Sequence, residues 1–85
     1  MNKTILSLFI KALNVDSSFF YLNKLGYDFT YQEIEILLPY LKNNIDLLDK
    51  NKKDYLLNKI PTTISPYCKK QVSKLFDKYI KKEED

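Results

Sequence analysis

The side chains that could do chemistry in this chain are few, and their spacing does not form a catalytic set. The chain has one cysteine, Cys68, and no histidine, so it lacks the usual general base and commonest metal ligand. Glu33 and Glu35 are two positions apart on a predicted helix and therefore lie on different faces. A lone thiol also excludes an internal disulfide and a cysteine-based zinc site. We expect no catalytic residues, metal or cofactor, and hence a protein that is not an enzyme.

Cys68 itself has two interpretations. It lies near the predicted start of the last helix, where the helix N-terminus and Lys69 could lower the pKa of its thiol. The alternative is a small apolar residue that packs in the core. Because no histidine is present to act as a base, we favour packing.

The charge of the chain is distributed unevenly, with a net charge of +3 carried by fourteen lysines and no arginine. Residues 1–49 hold four lysines and six acidic residues, whereas residues 50–85 hold ten lysines and five acidic residues. Such a surface could bind nucleic acid or could simply be a solvated lysine face. Lysine lacks the bidentate fork of arginine, so any nucleic-acid binding should be weak and sequence-nonspecific. The candidate anion-binding residues are Lys50, Lys52, Lys53, Lys69, Lys70, Lys74 and Lys78.

Apolar periodicity and capping signals predict five helical segments that must position these residues. Thr30 and Glu33 form a capping box, and Ser65 followed by Pro66 is typical of a helix start. Gly26 should end the second helix, whose N-cap is Asp16 or Ser17. Pro39 should either kink the third helix or end it early. We expect helices at about 3–14, 17–25, 30–42, 50–60 with Asp49 as its cap, and 66–81.

The first helix is apolar nearly all round. Its predicted inward face carries Ile5, Leu6, Phe9, Ala12 and Leu13, while Leu8 and Ile10 point elsewhere. A helix of this kind either packs between other helices or meets a partner chain. Its apolar run ends at Lys11. This run is too short for a secretory core, which needs ~7–15 apolar residues, or for a membrane span, which needs ~20. We therefore expect a cytoplasmic protein without membrane association, and a homodimer or partner interface formed by Ile5, Leu8, Phe9 and Ile10.

The order of these signals from Leu22 to Phe76 resembles a family of small uncharacterised Firmicute proteins, the YqfT-like domain of unknown function. The stretches that carry the resemblance are Thr30 to Lys42, Asp49 to Ile60, and Ile64-Ser65-Pro66 leading to Val72 and Leu75-Phe76. Pro39 departs from the family pattern. The resemblance implies a helical fold, but brings no activity and no functional residues to this chain.

Together these observations predict an all-α fold, a compact bundle of four to five short helices. Residues 1–81 should form a single domain, and residues 82–85 a charged C-terminal tail. The favoured function is a non-enzymatic protein–protein interaction module, which presents a groove or a helix face to a protein partner. The alternative is a weak, sequence-nonspecific nucleic-acid-associated protein that uses the lysine-rich C-terminal half.

Overall fold

The computed structural model describes residues 3–80, so the predicted charged tail lies outside the described residues. Within residues 3–80, five α-helices and two short 3₁₀ turns pack into one all-α bundle, as the sequence predicts. The helices are α1 (Lys3–Ala12), α2 (Val15–Lys24), α3 (Tyr31–Asn43), α4 (Lys53–Asn58) and α5 (Pro66–Tyr79).

The start of α2 differs from the prediction. Its N-cap is Asn14, whose side chain accepts from the Ser17 amide at 2.8 Å while the Ser17 hydroxyl reaches back to Asn14. Neither Asp16 nor Ser17 is therefore the cap. Asp16 instead accepts a 2.6 Å hydrogen bond from the Tyr31 hydroxyl, which ties α2 to α3. Asparagine, aspartate and serine are comparably good N-caps, so cap preference alone does not distinguish Asn14 from Asp16 or Ser17.

Gly26 ends α2 as expected, with φ of +91° in the left-handed region. The Tyr27 amide donates to the Leu22 carbonyl, and the Gly26 amide donates to the Asn23 carbonyl. This pair of bonds is the Schellman motif, which satisfies carbonyl groups that a helix end would otherwise leave unpaired. The turn reverses the chain so that α3 can pack against α2.

Pro39 does not end α3, which continues to Asn43. The prediction of an early end was wrong because the residue after the proline is held by tertiary contacts. The Tyr40 hydroxyl donates to the Leu56 carbonyl at 2.7 Å, and the Tyr40 ring packs against both parts of the core. Proline removes one backbone hydrogen bond and clashes with the preceding turn, and these anchored residues offset that cost.

The predicted fourth helix is shorter than expected. Asp49 caps a 3₁₀ turn (Lys50–Lys52) by accepting from the Asn51 amide, and α4 begins only at Lys53. Lysines at a helix N-terminus oppose the helix dipole, which disfavours a regular α-helical first turn there. The Lys53 ammonium then pairs with Asp77 of α5 at 2.8 Å.

The α3 capping box and the α5 start form as predicted, and Glu33 joins them. Its carboxylate accepts from the Thr30 amide and from the Ser65 hydroxyl, each at 3.1 Å, and Ser65 also caps α5. Burial acts to raise the pKa of Glu33, but hydrogen bonds from Thr30, Ser65 and Cys68 outweigh burial and lower it. One carboxylate therefore fixes two helix N-termini.

Candidate binding cleft

The core of the bundle has two parts, and an apolar cleft lies between the helices that cover them. The first part centres on α3, the start of α5 and the partly buried face of α2. The second joins α1 to α4 and the end of α5 through Leu6, Ile10, Leu48, Leu56 and Phe76. The cleft has a volume of about 450 Å³ and is partly open at the surface.

Three helices form the walls of this cleft. On α2, Tyr21 and the C-cap residue Leu25 lie one helical turn apart on the same flank. On α5, Leu75 and Tyr79 are spaced in the same way. Phe9 of α1 and Leu13, which directly follows α1, also line the cleft, and the α3 residues of the lining are Ile34, Leu37, Leu38 and Leu41.

Ser18 is the one hydroxyl buried in this otherwise aliphatic and aromatic lining. It is 6% exposed, and its Oγ has no hydrogen-bond partner among the described residues. Buried hydroxyl groups are normally hydrogen-bonded, because leaving one unpaired sacrifices its interaction with water. The lining thus contains a single unsatisfied polar group.

Lysine ammonium groups lie over aromatic rings beside the cleft. Lys78 Nζ is 5.4 Å from the ring centroid of Tyr79, which lines the cleft. Lys24 Nζ is 5.2 Å from the ring of Phe20, in the last two turns of α2 beside Tyr21. Lys24 directly precedes Leu25 and Lys78 directly precedes Tyr79, both of which line the cleft, and we call these two lysines its rim.

The predicted partner interface on α1 is partly corrected. Ile5, Leu8 and Phe9 are exposed, whereas Ile10 is 8% exposed and packs in the core. The predicted inward face is confirmed for Leu6, which is buried, and for Leu13, which packs half-buried against the core. It is wrong for Ile5, Phe9 and Ala12, which are exposed. On a helix that is apolar all round, periodicity cannot distinguish the face that other helices will cover. Phe9 belongs to both surfaces, since it is exposed and lines the cleft.

The structure brings only some of the predicted anion-binding lysines into one row. Lys70, Lys74 and Lys78 are exposed and four residues apart on α5, so they follow one helix face. Lys53 is paired with Asp77, and Lys69 is half-buried on another face. Lys50 and Lys52 are exposed on the 3₁₀ turn before α4.

Cys68 is a core residue. It is 0% exposed and packs in the first part of the core. Burial, and after it the neighbouring Glu33 carboxylate, raise the pKa of the Cys68 thiol to about 12. The helix N-terminus therefore does not activate this thiol, because desolvation of the thiolate dominates.

Sequence reasoning missed Ser18 as a lining residue, and Tyr21, Leu25, Leu75 and Tyr79 as cleft walls. Leu75 and Tyr79 are half-buried on α5. A signal was present on α2, where Tyr21 and Leu25 extend the apolar surface beyond the stripe that packs on α3. This additional apolar surface on α2 indicates a second contact surface, but it does not identify the helix or partner that this surface contacts.

Among residues 3–80, no cluster of three acidic or cysteine side chains could hold a metal ion. No single helix in that range is long and apolar enough to cross a membrane. The segments Thr4–Ala12 and Val15–Lys24 reach that length and composition only together, and the chain bends by 112° between them. The chain matches no family model, no curated protein and no solved structure.

Proposed function

We propose that this protein is a non-enzymatic interaction module that binds an apolar helix face of another protein in the cleft between α1, α2 and α5. The observation that carries the proposal is the open apolar cleft of about 450 Å³ itself. Binding pockets in proteins have volumes of roughly 300–1,000 Å³. A groove of this character receives apolar side chains spaced along an amphipathic helix, which is a recurrent mode of peptide recognition.

The surface around the cleft supports the same function. Six of the ten large apolar side chains that are exposed in residues 4–80 belong to α1 and α2 or to the α2 C-cap. Contiguous exposed apolar surface is typical of interaction sites, because each such group costs free energy while it remains in water. The exposed residues of this N-terminal surface are Ile5, Leu8, Phe9, Phe20, Tyr21 and Leu25.

Two tyrosines of nearly equal exposure provide a matched test of this function. Tyr21 on α2 is 53% exposed and lines the cleft, whereas Tyr67 on α5 is 54% exposed and does not. The immobilised chain should capture a partner protein from native lysate. Tyr21→Lys should abolish that capture because it places a charge against the apolar wall, and Tyr67→Lys should retain it. Equal capture by both variants would exclude the cleft as the binding surface.

The cleft has two candidate occupants, a second copy of this chain and a different protein, and experiment must distinguish between them. The exposed α1 residues Ile5, Leu8 and Phe9 predict a homodimer, and light scattering of the purified chain measures it directly. A species of 10.1 kDa at high micromolar concentration would exclude the dimer. A dimer that Tyr21→Lys dissociates would assign the cleft to a second copy.

The alternative function, weak binding of nucleic acid, depends on the row formed by Lys70, Lys74 and Lys78. If each lysine neutralises one phosphate, the logarithm of the binding constant should fall with the logarithm of salt concentration at a slope of roughly −2 to −3. Lys74→Gln should make the slope shallower by about 1. Fluorescence anisotropy with single- and double-stranded DNA measures both effects, and an absence of binding at low salt would exclude this function.

A further inference from the structure

The cleft combines apolar walls with one buried hydroxyl that lacks a partner, and this combination restricts what can occupy it. Ser18 Oγ can donate one hydrogen bond and accept others, yet no described residue pairs with it. An occupant that is apolar throughout would leave this group unpaired in an even drier environment. An occupant with a hydrogen-bonding group at the same depth would satisfy it.

The helices that form the cleft walls have a strong bias of charge, although no charged residue lines the cleft itself. From residue 4 onward, α1, α2 and α5 contain six lysines and two acidic residues. Both acidic side chains are engaged elsewhere, since Asp16 accepts from Tyr31 and Asp77 pairs with Lys53. The charged groups fixed over aromatic rings beside the cleft are the ammonium groups of Lys24 and Lys78. An occupant with acidic residues beside its apolar ridge is electrostatically complementary to this rim.

We infer that the partner segment is an amphipathic helix with acidic flanks, and that its central anchor is a tyrosine whose hydroxyl pairs with Ser18. This inference depends on the function proposed above and specifies the partner of the same cleft. Tyrosine places a polar group at the tip of a large apolar ring, so its ring can contact the cleft walls while its hydroxyl reaches the buried serine. A second copy of this chain is disfavoured as the occupant of the cleft, because its α1, α2 and α5 carry more lysines than acidic residues and do not complement the lysines beside the cleft.

Synthetic helical peptides can test the two parts of this inference separately. Four stapled peptides of roughly 18 residues would share apolar anchors at i, i+4 and i+7, with the central anchor either tyrosine or phenylalanine and the flanks either glutamate or lysine. Fluorescence anisotropy with the full-length chain gives their affinities. The glutamate peptides should bind more tightly than the lysine peptides, and this preference should narrow as salt rises.

The tyrosine peptide with acidic flanks should bind roughly tenfold more tightly than its phenylalanine counterpart, which is the effect expected of one buried hydrogen bond. Ser18→Ala should remove that difference. The Tm of Ser18→Ala should equal or exceed that of the wild type, since the substitution removes an unpaired hydroxyl, and thermal unfolding checks that the variant is folded.

Equal binding of the tyrosine and phenylalanine peptides, or a tyrosine preference that persists in Ser18→Ala, would overturn the role of Ser18. Equal binding of acidic and basic peptides would overturn the charge complementarity. After either of these results, partner capture by the Tyr21→Lys variant shows how far the failure extends. If capture is lost in that variant, only this inference fails. If capture is retained, the proposed function fails as well. Displacement of a bound peptide by oleate, or a dimer that Tyr21→Lys dissociates, would assign the cleft to a lipid or to a second copy and would also overturn the inference.

Discussion

Replacement of Leu56 by alanine is expected to destabilise the fold by about 2–5 kcal/mol, the range measured for buried leucines in protein cores. Leu56 is 1% exposed and lies in the second part of the core with Leu6 and Phe76. It also contributes to the cleft lining, so truncation would enlarge an existing void that the backbone cannot easily collapse to fill. In a domain of this size the loss corresponds to a fall in Tm of roughly 10–30 °C.

Leu8→Ala is the matched control for this prediction. Leu8 is also a helical leucine, but it is 64% exposed. Its truncation should change the free energy of unfolding by no more than about 0.5 kcal/mol. Urea titration followed by far-UV circular dichroism measures both variants in dilute solution. A loss below about 1 kcal/mol for Leu56→Ala would contradict the packing described for the core.

Replacement of Leu75 by tryptophan is expected to change partner binding and stability in different ways. Leu75 is half-buried on α5 and lines the cleft, so a larger side chain can extend into open apolar space. The Tm should stay constant or rise, because the indole ring covers apolar surface that is otherwise exposed to water. The affinity for the captured partner should fall by roughly 30-fold or more, since the ring occupies the space of an anchor side chain.

Leu57→Trp separates the filling of the cleft from a general effect of added volume. Leu57 is also half-buried and packs against the same part of the core as Leu75, but it does not line the cleft. Its enlargement should destabilise the fold by about 1–3 kcal/mol through overpacking. Partner affinity of the folded fraction should be unchanged. Thermal unfolding and anisotropy measure the two quantities, and equal destabilisation by both tryptophans would show that the cleft is not open space.

Local signals were sufficient for the helices whose ends depend on their own side chains. These helix ends are marked by Thr30 with Glu33, by Ser65 with Pro66, and by Gly26. At each of them, the free backbone groups are paired or made unnecessary within one helical turn, so residues adjacent in the sequence determine where the helix begins or ends. Pro39 is the opposite case. Local chemistry predicts a kink or a break there, and the bond from Tyr40 to Leu56 holds the following turn of α3 in place.

The binding surface was only partly predictable. The sequence indicated excess apolar surface at the N-terminal end, and the exposed Ile5, Leu8 and Phe9 agree with it. It could not assign Ile10 to the core, because every face of α1 has apolar residues and only the packing of α3, α4 and α5 selects one. Tyr21 and Leu75 are more than fifty residues apart, and no local pattern indicates that they line one cleft.

By itself, the sequence determined the helical class, the main helix ends and the scarcity of catalytic groups, because these depend on residue types and on contacts within one turn. Only the tertiary structure decided which α1 face is buried, that α3 continues past Pro39, and that the core has two parts with an apolar cleft beside them. These features depend on contacts between helices distant in the chain. The unpaired hydroxyl of Ser18 is also of this kind, since a serine on a helix becomes an unsatisfied group only when its neighbours exclude water.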